Sequence, residues 1–159
     1  TYGKYNSGSL NGMWVDVSTF DYYEEFENFC LPIHADESDP ELMYQDFSNM
    51  PDCLYNESMG EKGIEKIMEY WGMCNEYNVT AVNDFLEWRT PEDLCDMYDA
   101  YMGVYDSEED FARETVNECY DLEKMMGNLA CYFDYEKLAR DLFLSDYYFG
   151  SHGTVFARC

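Results

Sequence analysis

Ser107-Glu108-Glu109-Asp110-Phe111-Ala112-Arg113-Glu114-Thr115-Val116-Asn117-Glu118-Cys119-Tyr120 predicts an α-helix with its own start signal. Ser107 can cap the first turn with its hydroxyl, and the acids that follow lie on the positive end of the helix. Ala112, Val116, Cys119 and Tyr120 form an apolar side, read as buried. Asp110, Glu114 and Glu118, with Asp121 beyond them, fall within an arc of about 80° on the other side. Neighbours three or four residues apart on a helix repel by a few tenths of a kcal/mol when both are negative. The stretch therefore specifies a folded, amphipathic element that tolerates a line of like charge.

The same pattern recurs upstream. Glu61, Glu65, Glu69 and Glu76 share another arc of about 80°, with Ile64, Ile67, Met68 and Trp71 as the apolar face. Thr80 is placed as the cap of a helix burying Val82, Phe85 and Leu86. Thr90-Pro91-Glu92-Asp93 is a start signal, with Pro at the first helical position and acids behind it. Asp93, Asp96 and Asp99 then repeat at three-residue spacing, and Leu94, Met97, Tyr98 and Tyr101 supply the core side. From Asp21 to Cys30 a shorter helix buries Tyr22, Phe26 and Phe29 and exposes Glu24, Glu25 and Glu27. Asp134 caps the last helix, with Tyr135, Leu138, Ala139 and Leu142 facing in.

Strands are predicted at both ends. Met13–Ser18 and Leu42–Phe47 read as an N-terminal antiparallel sheet. Tyr147–Phe149 and Thr154–Ala157 read as a hairpin around Gly150-Ser151-His152-Gly153. Composition shifts near Gly60 and Gly103 divide the chain into 1–59 (α+β), 60–103 (helical) and 104–159 (α+β). The fold class is α+β, three small domains strung into an elongated monomer.

The charge sets the functional question. The chain holds 34 Asp+Glu against 9 Lys+Arg in 159 residues, a net charge of −25. Such acidic chains are usually disordered for want of apolar mass, but this one is 47% hydrophobic and 18% aromatic. It folds against its own repulsion. Two copies at −25 each carry −50, the charge on about 85 Å of duplex DNA, some 25 base pairs. The acidic surface is expected to meet a basic partner, not nucleic acid and not an anionic membrane. No run of 18 apolar residues spans a bilayer. With neither a signal segment nor an initiator Met, the sequence reads as starting inside its natural chain. The seven scattered cysteines are expected to be reduced, mostly buried thiols of a cytoplasmic protein. Halophilic adaptation also gives acidic, Lys-poor surfaces, but fits the Tyr, Phe, Met and Cys load less well.

Chemistry has little support. No P-loop, dinucleotide fingerprint or H-E-x-x-H occurs, and no motif surrounds His34 or His152. Among 34 acids, close carboxylate pairs arise by chance, so they do not argue for glycoside hydrolysis. A calcium module lacks the EF-hand spacing. No cofactor and no metal are expected. An acidic module for some other basic DNA-binding protein stays open on charge alone.

Longer stretches carry a resemblance. Gly3-Lys4-Tyr5-Asn6-Ser7-Gly8-Ser9-Leu10-Asn11-Gly12-Met13-Trp14, Asp84-Phe85-Leu86, Tyr105-Asp106-Ser107-Glu108-Glu109-Asp110-Phe111-Ala112 and Tyr132-Phe133-Asp134-Tyr135-Glu136-Lys137-Leu138-Ala139-Arg140-Asp141-Leu142 occur in an order and spacing that resembles the ArdA antirestriction proteins of conjugative plasmids and transposons. The resemblance implies a homodimer that imitates bent B-form DNA and occupies the DNA-binding cleft of Type I restriction–modification enzymes, in methyltransferase and nuclease forms. It implies a phosphate-mimicking surface made of the acids above together with Glu92, Glu108 and Glu109. It also places an antirestriction motif region at Asp121–Cys131, near a dimer contact. Met125-Met126-Gly127-Asn128 departs there from the family's more Leu-, acid- and Pro-rich versions. The apolar run Leu122, Met125, Met126, Leu129, Ala130, Tyr132 and Phe133 exceeds what one small domain needs and is the expected contact.

Overall fold

The computed structural model describes residues 1–158, so Cys159 lies outside the described residues. The structure is α+β, mostly helical, with one small antiparallel sheet among the described residues. Internal contacts group the chain into two units. The first comprises 1–82 with 90–92, the second 83–89 with 93–159.

The first unit is helical. It holds α1 (Tyr2–Asn6), α2 (Tyr23–Cys30), α3 (Glu61–Tyr77) and the start of α4 (Val79–Trp88). Its core is Phe26 from α2, Leu54 from a short 3-10 turn, and Ile64, Ile67, Tyr70 and Met73 from α3. Phe20 meets Phe26 edge-on at 5.6 Å and Phe29 at 5.4 Å, and Phe26 meets Tyr44 at 6.4 Å. Asn78, at φ +101°, separates α3 from α4, and its Oδ1 accepts from the Ala81 amide at 2.9 Å. The cap predicted at Thr80 is therefore supplied by Asn78, and Thr80 lies inside the helix.

The N-terminal sheet does not form. Residues 9–16 and 40–48 carry no ladder, and Val17–Thr19 is a 3-10 turn capped by Asp16. Their apolar and β-branched residues favour extended backbone, but a strand is stabilised only by neighbours that pack against it. The Tyr44 amide bonds the Glu57 carbonyl at 3.2 Å without extending into a ladder. Tyr22 and Phe29 are exposed, which corrects the face assigned to α2. A helix of eight residues has room for one narrow stripe, and Phe26 and Cys30 occupy it.

The second unit completes α4 and adds α5 (Met97–Ala100), β1 (Tyr101–Val104), α6 (Glu108–Cys119), α7 (Leu122–Met126), α8 (Tyr135–Ser145), β2 (Tyr147–Phe149) and β3 (Thr154–Ala157). The sheet order is β1-β3-β2, all antiparallel. The hairpin β2–β3 forms at the predicted bounds. β1 does not follow the sequence reading, which continued a helical face through Tyr101. Tyr101 pairs with Phe156 and Gly103 with Val155, with a bulge between them where Gly103 takes φ +123°. β3 is central, so Val155 and Phe156 are wholly buried.

α6 and α8 pack on each other. Phe111 sits between Tyr105 at 5.0 Å, Phe143 at 5.5 Å and Tyr147 at 4.7 Å. Ala112 and Val116 are buried as expected. Cys119 and Tyr120 are exposed, because α6 ends at Cys119 and Tyr120 turns extended, off the buried face. Tyr98 is exposed too. The cysteines also depart from expectation. Cys30 and Cys74 are buried, while Cys53, Cys95, Cys119 and Cys131 are exposed free thiols. Burial pushes the Cys30 thiol up to about 11. No helix among the described residues is long and apolar enough to cross a membrane.

Candidate interaction surface

The acids sort onto helical faces. Glu24 and Glu25 occupy the first turn of α2, Glu61 that of α3, and Glu108, Glu109 and Asp110 that of α6. Each carboxylate there gains about 0.3–1 kcal/mol from the helix dipole. Glu65, Glu69 and Glu76 continue along α3, and Glu114 and Glu118 along α6, toward the unfavourable negative end. Asp93 and Asp96 fall in the 3-10 turn Pro91–Asp96, where residues three apart eclipse one another. Asp99 follows in α5. Glu27, Glu69, Asp93 and Glu109 are half-buried; the other predicted acids are exposed.

Basic side chains relieve few of them. Lys66 pairs with Glu69, and Arg113 pairs with Glu109 at 2.6 Å. Glu27 accepts from the Tyr23 hydroxyl at 3.1 Å. Burial and that contact push the Tyr23 phenol up to about 12. Asp110 and Asp121 have local roles as well. The Asp110 carboxylate accepts from the Ser107 hydroxyl at 2.7 Å, and the Asp121 carboxylate caps α7 through the Lys124 amide at 3.0 Å. Glu61, Glu65, Glu76, Asp96, Asp99, Glu114 and Glu118 have no ion pair within 4.0 Å among the described residues.

The apolar run lies beside part of this surface. Met125, Met126, Leu129 and Tyr132 are exposed, Tyr132 by 81%, whereas Leu122, Ala130 and Phe133 are half-buried. α7 and the 3-10 turn Gly127–Tyr132 carry all of them but Phe133, which follows the turn, and the two are joined through Gly127 at φ +57°. An open groove of about 1050 Å³ in the second unit is lined by Glu109, Glu118 and Asp121 together with Leu122, Ala130 and Phe133. Arg113 also lines it, with its guanidinium 4.2 Å from the Tyr135 ring centroid.

Sequence reasoning missed Asp84. This carboxylate is fully buried, and it accepts from the backbone amides of His152 and Thr154 at 3.2 Å. The His152 ring bonds it at 2.7 Å, which pushes the imidazole up from its ordinary value. Only its place within the apolar face of α4, between Val82 and Phe85, could have signalled burial.

His34 has the opposite environment. It is buried, its Nδ1 accepts from the Lys4 ammonium at 3.3 Å, and Asp36 and Glu37 lie nearby. Desolvation, then the N-terminal amine and Lys4, lower its pKa below 6.5, against the opposing pull of Glu37 and Asp36. The neutral ring is thus favoured in the folded chain. Its contribution to stability is fully present above 6.5 and lost as pH falls toward the folded value. A His34 ring titration followed by NMR should show a midpoint below 6.5, and His34→Gln should remove that part of the acid sensitivity. A midpoint at or above the ordinary value would contradict the assignment.

The comparisons with known proteins bear on the whole chain. No curated protein and no solved structure matches it. A family model described as antirestriction protein (ArdA) matches residues 1–156. With the match running through both units, the chain belongs to the ArdA family of antirestriction proteins.

Proposed function

We propose that the chain is a DNA mimic. It inhibits Type I restriction–modification enzymes by presenting carboxylates to the cleft that otherwise grips duplex. The observation that carries this reading is the outward, mostly unpaired display of acids on successive helices, in a family described as antirestriction. DNA-binding clefts supply Lys and Arg that neutralise phosphates and release counterions. Helix-borne carboxylates offer those cations charge-assisted pairs instead. Carboxylates fixed on folded helices offer those pairs without the cost of bending DNA. The chain displays no bases, so one inhibitor blocks enzymes of many sequence specificities. The reading needs no catalysis, cofactor or nucleic acid, and it places the protein in the cytoplasm, encoded on a mobile element.

The same reading takes 1–59, 60–103 and 104–159 as three small domains in a row. It forms a homodimer through the exposed Met125, Met126, Leu129 and Tyr132 patch, with Leu122, Ala130 and Phe133 beneath it. A two-fold contact lets that patch meet its own copy. Salt should strengthen the dimer by screening two −25 subunits.

The test is inhibition of ATP-dependent cleavage by a purified Type I enzyme. Single changes such as Glu65→Gln, Asp96→Asn or Glu118→Gln should weaken inhibition only slightly. Changing Asp110, Glu114, Glu118 and Asp121 together should weaken it far more and flatten its salt dependence. Glu114→Gln and Glu118→Gln should also raise stability by a few tenths of a kcal/mol each, since each relieves repulsion from a like charge four residues away. One folded single variant that abolishes inhibition while its neighbours are silent would sink the distributed account. Equal inhibition by the fourfold variant would point to a partner that does not read this surface.

A further inference from the structure

We propose that Asp84, Glu87 and His152 form a binding site for a divalent first-row transition metal, which clamps the β2–β3 turn onto α4. The site is independent of the antirestriction surface, and it departs from the metal-free expectation of the sequence. Asp84 and Glu87 are three residues apart on one face of α4. The turn brings His152 across from 68 residues away. One ligand atom from each lies within 4.8 Å of the others.

Both carboxylates are held by outer donors, as metal-ligating side chains usually are. The amides of His152 and Thr154 each bond the Asp84 carboxylate at 3.2 Å. The Ser151 hydroxyl and amide bond Glu87 Oε2 at 2.8 and 3.2 Å. Gly150 makes this close approach possible, since a Cβ there would stand 2.5 Å from Asp84 Cβ. Asp84 is buried, whereas Glu87 and His152 are exposed. His152 Nδ1 donates its proton in a hydrogen bond to Asp84 Oδ1 at 2.7 Å. Replacing that proton by an ion with bonds of roughly 2.0–2.2 Å needs the pair to open by several tenths of an ångström. Glu87 closes in from the open side. Two carboxylates and a neutral imidazole balance a dication, with remaining positions left to water. An imidazole in the set favours Zn²⁺, Co²⁺ or Ni²⁺ over Mg²⁺ and Ca²⁺, which bind through oxygen.

The experiment is a Co²⁺ titration of the full chain, followed by visible absorption, above the imidazole titration range and with excess Mg²⁺ to occupy the general acidic surface. We expect one equivalent of Co²⁺ to saturate a visible band, reversed by a chelator and displaced by Zn²⁺. His152→Ala and Glu87→Gln, both at exposed positions, should each lose the band or weaken binding by at least ~10-fold. Ser151→Ala should weaken it by roughly 10-fold through Glu87. Gradual uptake without saturation would overturn the site. So would a saturating band that persists unchanged in folded His152→Ala.

Discussion

Phe156→Ala should cost about 3–5 kcal/mol, the range for deleting a buried aromatic ring. Phe156 is wholly buried in β3, the central strand, in register with Tyr101 on one side and Tyr148 on the other. Its ring lies 5.3 Å from Phe85, 6.3 Å from Tyr101 and 6.4 Å from Trp88. One deletion therefore strips contacts from a helix and a neighbouring strand at once. Small domains hold only about 5–15 kcal/mol in total, so the loss is a large share of the stability and should shift the unfolding midpoint far down. Urea denaturation followed by near-UV circular dichroism measures this. A loss under about 1 kcal/mol would show that the surrounding rings collapse into the gap.

Gly153→Ala should cost about 2–5 kcal/mol for two separate reasons. Gly153 takes φ +90°, which disfavours any side chain, and a Cβ there would stand 2.4 Å from the Tyr105 carbonyl oxygen. That oxygen cannot simply withdraw, because the Tyr105 amide donates to the Gly153 carbonyl at 2.9 Å. Gly127 separates the two effects. It takes φ +57° with ψ −133°, and a Cβ added there would meet nothing within 4 Å, so Gly127→Ala should show the conformational part alone, about 1–3 kcal/mol. Thermal unfolding of both variants gives the comparison. Equal losses would mean that the close approach to Tyr105 carries no energy.

The readable parts of the fold were those fixed by local chemistry. Ser107 and Asp134 cap helices as their spacing requires, through amides at 3.1 and 2.9 Å. Tyr147–Phe149 and Thr154–Ala157 flank a glycine turn and need only each other to pair. β1 was illegible because its partner lies more than 50 residues on, while Tyr101 continues a helical face and Gly103 reads as a boundary. The N-terminal strands failed for the converse reason: extended propensity at Met13 and Leu42 met no partner. The acidic faces were legible from periodicity, since solvated charge needs no distant contact. Asp84 was not. A helix-borne acid reads as solvated until His152 and Thr154 are seen to enclose it.

The three tryptophans have a spectroscopic consequence. Trp14 is 65% exposed on an irregular loop. Trp71 is half-buried beside Tyr70, with centroids 5.2 Å apart. Trp88 stacks on Tyr148 at 5.3 Å beneath the Arg89 guanidinium. Their indoles meet solvent, a phenol edge and a cation-covered stack, so their emission should differ in wavelength and quenching. Chains keeping one tryptophan at a time, the others changed to Phe, would turn intrinsic fluorescence into separate optical channels for the loop, the first unit and the second. Occupation of the acidic faces by a basic protein could then be followed, segment by segment, without attaching any dye.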